Sequence, residues 1–104
     1  MKTITLPDKS LDLVDEHGDK TGQKRNILIH FLMTVIESVP QKSDTESFLA
    51  HAIREKCDKY VDGEFTLEDA EIVFIEGGIK SLRDGGKIIG SGWYYLISGL
   101  REAK

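Results

Sequence analysis

The stretch Asn26–Val39, NILIHFLMTVIESV, restricts the possible folds more than any other part of the chain. Ile27, Leu28, Ile29, Phe31, Leu32, Met33, Val35, Ile36 and Val39 leave no polar face of useful width. A helix that is apolar nearly all round is buried nearly all round. The run is well short of the ~20 residues that span a bilayer. Asn26, His30, Thr34 and Glu37 also interrupt it, so no membrane association is expected. A buried strand rich in β-branched residues is the competing reading, but strands usually stop within about 4–8 residues. The segment therefore reads as a central helix over 26–39, with Phe31 and Leu32 expected to be fully buried.

A chain of 104 residues is the size of one domain. It can bury roughly 60–70% of its unfolded surface without covalent staples. Cys57 is the only cysteine, which excludes an internal disulfide. With no signal-peptide pattern at the start, a reducing, cytoplasmic setting is expected. The net charge of −4 gives no long-range pull toward nucleic acid, and direct nucleic-acid binding is not expected. The charge is segregated. Residues 58–76 hold Asp58, Asp62, Glu64, Glu68, Asp69, Glu71 and Glu76 against Lys59 alone, whereas Lys80, Arg83, Lys87, Arg101 and Lys104 make 77–104 net basic.

Residues 3–6, Thr-Ile-Thr-Leu, alternate as in a half-buried strand, and Pro7-Asp8 signals a turn. Leu11 and Leu13 lie two apart on one face of a second strand. An N-terminal β-hairpin over about 3–14 follows, joined by a polar loop (Asp15 to Lys20) to the central helix. A lone hairpin is marginal in water, so this one must pack on helices. Ser43-Asp44-Thr45-Glu46 is a capping box opening a second helix, 44–62, whose stripe is Leu49, Ile53, Cys57 and Tyr60. Asp62-Gly63 is expected to stop it. Thr66, with acids following, marks the start of a third helix, 67–83, with the stripe Ile72, Ile75, Ile79 and Leu82. The pair Gly77-Gly78 inside it costs about 1 kcal/mol per glycine relative to alanine. Such a pair signals a kink or a close backbone approach.

A fourth helix, 87–101, shows two apolar faces. Ile89, Trp93, Leu96, Ile97 and Leu100 make one; Ile88, Gly92, Tyr95 and Gly99 make the other. If the first is spent on the core, the second needs a neighbour. Glycines seven apart beside a tyrosine leave a groove for another backbone, and tyrosine is favoured at interfaces. Ile88, Gly92, Tyr95 and Gly99 are therefore a candidate surface for a homodimer or a protein partner. The alternative is that the hairpin covers this face within the monomer. Glu64, Glu68 and Glu71 form a second candidate, an acidic docking patch for a basic partner.

Asp58 to Asp69 resembles an EF-hand calcium loop, with acids at loop positions one and five, glycine at six and an apolar residue at eight. Tyr60 stands where an oxygen ligand belongs, however, and Asp69 is one methylene shorter than the glutamate of position twelve. A helix stop followed by a helix start explains the same residues, so no metal is expected. The glycines around Lys87 fit neither a phosphate loop nor a dinucleotide fingerprint, since Ile88 follows Lys87 and no third glycine stands at 95. His17, His30 and His51 lie on separate elements without ligand spacing. Cys57, on an apolar stripe, reads as a small hydrophobe. No nucleophile–base arrangement can be nominated; no enzymatic activity and no cofactor are expected. A recognition helix beginning Glu68-Asp69-Ala70-Glu71 would repel phosphate, which disfavours a helix-turn-helix regulator.

The order of elements resembles a group of small, mostly uncharacterised phage and prophage proteins. There a hairpin of the type ITLPDKSLDLVDEHGDK leads into an apolar helix. A segment like EFTLEDAEIVFIEGGIKSL then precedes a last helix of the GWYYLISGL type. The resemblance implies no catalytic or binding residue. It implies a mobile-element origin, where small acidic proteins commonly bind host or virion proteins. The expected fold is α+β, a hairpin on about four helices. The expected function is a non-enzymatic protein-binding accessory factor, an inhibitor of a host protein or defence complex. A virion assembly factor or minor structural component is the first alternative, and a degenerate EF-hand-like calcium-binding domain the second.

Overall fold

In the computed structural model, which describes all residues 1–104, the apolar run forms α1 (Ile27–Ser38). Ile27, Leu28, Ile29, Leu32, Met33, Val35 and Ile36 are buried, and α1 packs against each of the other three helices. Leu32 is fully enclosed, while Phe31 is only half-buried, at the edge of the core beside Trp93. Asn26 caps the helix: its Oδ1 accepts from Leu28 N at 2.9 Å, satisfying one of the unpaired first-turn donors. Its Nδ2 donates to Pro7 O at 2.8 Å and ties the preceding chain to the helix start.

The remaining helices are α2 (Asp44–Lys59), α3 (Asp69–Asp84) and α4 (Trp93–Arg101). Ser43 caps α2 as expected, its Oγ accepting from Glu46 N at 3.2 Å. The return bond goes one residue further back, from Lys42 N to Glu46 Oε1 at 2.9 Å. α2 stops at Lys59 with Tyr60 already extended, and Gly63 (φ +87°) serves the turn beyond it.

Four short strands complete the α+β fold: β1 (Lys2–Ile4), β2 (Ser10–Val14), β3 (Lys20–Asn26) and β4 (Phe65–Leu67). They form two antiparallel two-stranded sheets, β1–β4 and β2–β3. The hairpin is therefore at 10–26 and not at 3–14. Its tight turn lies in the segment read from sequence as a loop. There Asp15 Oδ1 accepts from His17 N and Asp19 N, and Gly18 takes φ +82°. Strand β1 instead finds β4, opposing Ile4 to Phe65 and Lys2 to Leu67. Ile4, Phe65 and Leu67 are all buried, and this apolar closure outweighs the local turn at Pro7.

The same pairing moves the start of α3. Thr66 lies in β4, so the helix opens at Asp69 with Glu68 as its N-cap. α4 is also shorter than expected, beginning at Trp93 and not at 87. Gly86 (φ +72°) and Gly90 (φ +87°) hold left-handed conformations that a continuing helix cannot contain. Ile88 and Ile89 consequently lie in the connection, half-buried and exposed respectively.

Candidate interaction surfaces

Gly99 of α4 and Gly92, the residue that precedes the helix, are turned inward. A Cβ at Gly92 would run into the Phe31 ring, and one at Gly99 into the Leu28 side chain. The close backbone approach that their spacing signals is thus made by α1 of the same molecule. Trp93 joins it, its ring 4.8 Å from that of Phe31. Ile88 is off the helix, so Ile88, Gly92, Tyr95 and Gly99 do not form one face. Tyr95 is partly covered by the β1–β2 connection: Lys9 Nζ donates to its hydroxyl at 3.3 Å and sits 5.2 Å from the ring centre. Beside it Tyr94 is 68% exposed.

The acidic patch loses one member. Glu64 and Glu68 are exposed, but Glu71 is only 3% exposed. Its Oε1 accepts from Glu68 N at 2.7 Å, closing the N-terminus of α3, and lies 2.5 Å from Lys56 Nζ on α2. A nearly enclosed carboxylate held by a backbone N–H and an ammonium joins α2 to α3 and cannot dock a partner. In the EF-hand-like stretch, Asp58 stands 3.7 Å from Arg54 Nε, and Phe65 to Leu67 are taken up by β1. No three His, Cys, Asp or Glu side chains gather in a way that could hold a metal ion.

Two surfaces flank α3 that the sequence did not single out. On one side, Val39 and Pro40 after α1, Leu49 on α2, and Val73, Phe74 and Gly77 on α3 line a groove of about 430 Å³. Lys42 and Glu46 are its only charged lining residues. Val73 is 69% exposed there. Gly78 packs on α1, its Cβ position 2.7 Å from Val35 Cγ1, whereas Gly77 faces open space. On the other side, Ile79 of α3 and Ile97 and Leu100 of α4 floor a cleft of about 190 Å³ edged by Lys80, Arg83, Arg101 and Glu76.

Two titratable groups inside the molecule are perturbed. His30 is held below its ordinary value of 6.5, chiefly by burial and then by Arg25, with Glu37 opposing. Its Nδ1 is buried and makes no hydrogen bond. Burial pushes the Cys57 thiol up to about 12, with Asp58 adding to the effect. It therefore stays protonated at neutral pH and cannot supply a thiolate nucleophile.

The class that the architecture defines is an α+β domain of two small antiparallel sheets and four helices, and no helix is long and apolar enough to cross a membrane. No protein-family model matches the chain, and neither a curated protein nor a solved structure is significantly similar to it.

Proposed function

We propose that this chain is a non-enzymatic, protein-binding accessory factor that receives its partner in the groove between α2 and α3. The observation that supports this is Gly77. It lies mid-helix with an ordinary backbone angle, where glycine costs about 1 kcal/mol relative to alanine. Nothing in the molecule approaches its Cβ position, so the cost brings no intramolecular gain. Gly78 differs, because α1 packs against it. A bare backbone at an open site, bordered by the exposed Val73 and by Leu49 and Phe74, suits close approach by another chain. Clustered exposed apolar surface of this kind commonly marks a protein partner.

The resemblance to small phage proteins makes a host protein the first partner to seek. Affinity capture from host lysate with wild type, Val73→Lys and Gly77→Leu tests the reading. Both substitutions point into solvent and leave the fold intact, as circular dichroism will verify, and both are expected to lose the captured protein. A virion component in its place would move the assignment to assembly. An identical captured set for all three chains would remove the groove as the binding site.

A further inference from the structure

The other flank of α3 carries a separate inference. We propose that the cleft between α3 and α4 binds an acidic amphipathic segment of a partner protein. Ile79 is buried, and Ile97 and Leu100 are half-buried; together they offer an apolar floor. Lys80 and Arg83 on α3 and Arg101 on α4 surround it, and none of the three forms an ion pair, unlike Lys20, Arg54, Lys56 and Lys59. Glu76 is the one acid in the lining, so the rim is cationic although the chain is net acidic.

Asp84 at the end of α3 and Glu102 after α4 are the nearest other acids, and neither lines the cleft nor pairs with a base; the remaining acids lie further off. Glu64, Glu68 and Asp69 gather at the opposite end of α3. Along α3, Lys80 and Arg83 follow Asp69 by 11 and 14 residues, about 16 and 21 Å at helical rise, beyond the ~8–10 Å over which exposed charges act at ordinary salt.

An occupant must therefore supply both apolar side chains for the floor and carboxylates for the rim. A helical or extended segment with aliphatic anchors flanked by Asp and Glu does so, with carboxylates able to take the Arg83 and Arg101 guanidinium groups two bonds at a time. Nucleic acid matches only the cations. The floor is aliphatic and offers bases no aromatic platform for stacking. The Val73–Gly77 groove lies on the other flank of α3 and shares no lining residue with this cleft, so the two surfaces can be separated by mutation.

The test is methyl NMR of the full chain titrated with two synthetic helical peptides of one pattern, Leu at every fourth position with either Glu or Lys elsewhere. The Glu peptide should shift the methyls of Ile79, Ile97 and Leu100, and its binding should weaken as salt is raised. In Arg83→Glu/Arg101→Glu the affinity should fall by about tenfold or more, with Lys80→Gln giving a smaller loss. Both variants alter exposed side chains, and an unchanged methyl spectrum of the free protein will show that they fold. The Val73→Lys chain should bind the Glu peptide as wild type does. An equal response to the Lys peptide, perturbations centred on other methyls, or unchanged affinity in the double variant would overturn the proposal. So would the same methyl shifts appearing on concentrating the protein alone, which would make a second copy the occupant.

Discussion

The adjacent glycines of α3 allow two alanine substitutions, identical in chemistry, to be set against each other. At Gly77 an added Cβ meets nothing within 4 Å, and the backbone angle is not left-handed. Alanine there restricts the unfolded chain and recovers helix propensity, stabilising by about 0.5–1 kcal/mol. In a domain of this size that raises Tm by roughly 2–8 °C. At Gly78 the same gain is opposed, because the new Cβ would stand 2.7 Å from Val35 Cγ1 and 3.3 Å from Val39 Cγ2. Val35 is buried and β-branched, with one strongly preferred rotamer in a helix, so relief requires α1 and α3 to move apart. Overpacking costs about 1–3 kcal/mol, which equals or exceeds the propensity gain and leaves a net loss of up to about 2.5 kcal/mol. Urea unfolding followed by circular dichroism should show the midpoint rising for Gly77→Ala and falling for Gly78→Ala at constant slope. Midpoints that move in the same direction by the same amount would refute the packing of Gly78 on Val35. A destabilised Gly77→Ala would refute the open face on which the proposed binding groove rests.

Three further outcomes follow from the interior. Leu32→Ala removes a fully enclosed side chain of α1 and should cost about 2–5 kcal/mol in chemical denaturation; a loss below about 1 kcal/mol would mean that α1 is not the centre of the core. Because His30 is held below 6.5 in the folded state, the unfolded chain takes up its proton first as pH falls. Stability should then decline as pH drops below about 6.5 and level off below the folded value, and His30→Gln should flatten that part of a Tm–pH profile. The Cys57 thiol, buried and pushed up to about 12, should resist a disulfide reagent at neutral pH in native protein and react as urea unfolds it; rapid labelling of the native chain would contradict its enclosure.

What was legible in the sequence was local. The contiguous apolar run of α1 needs no partner to identify it, and the stripes Ile53–Cys57 and Ile72–Ile75–Ile79–Leu82 lie buried as their spacing predicts. Ser43 caps α2 because a side-chain oxygen at that position answers only to its own helix. The pairing of β1 with β4 was not legible. Each is a three-residue strand, too short for alternation to be distinctive, and Phe65 to Leu67 sit immediately before a strong helical pattern. Only the shared need of Ile4, Phe65 and Leu67 to leave water brings them together, and that need carries no sequence address.

The candidate surfaces meet a related limit. Small residues at helical spacing say that something comes close, not whether it belongs to the same chain. A Cβ at Gly92 or Gly99 would meet Phe31 or Leu28 of the same chain. Gly77 was decidable by angle. Taking the buried stripe of α3 as the reference, steps of 100° put Gly78 about 80° from its centre and Gly77 about 180° away. Read that way, the two glycines separate into one that the core requires and one that it does not. Glu71 shows the limit of charge counting, because an acid in an acidic run is indistinguishable by composition from the one that Lys56 and Glu68 N hold inside. The basic character of 77–104 was visible, but its concentration around an apolar floor depends on α4 lying beside α3, which brings Arg101 to the same rim as Lys80 and Arg83. Charge segregation along a chain becomes a binding surface only when the fold places the like charges on one face. Here the helix order does so with residues that the core leaves free.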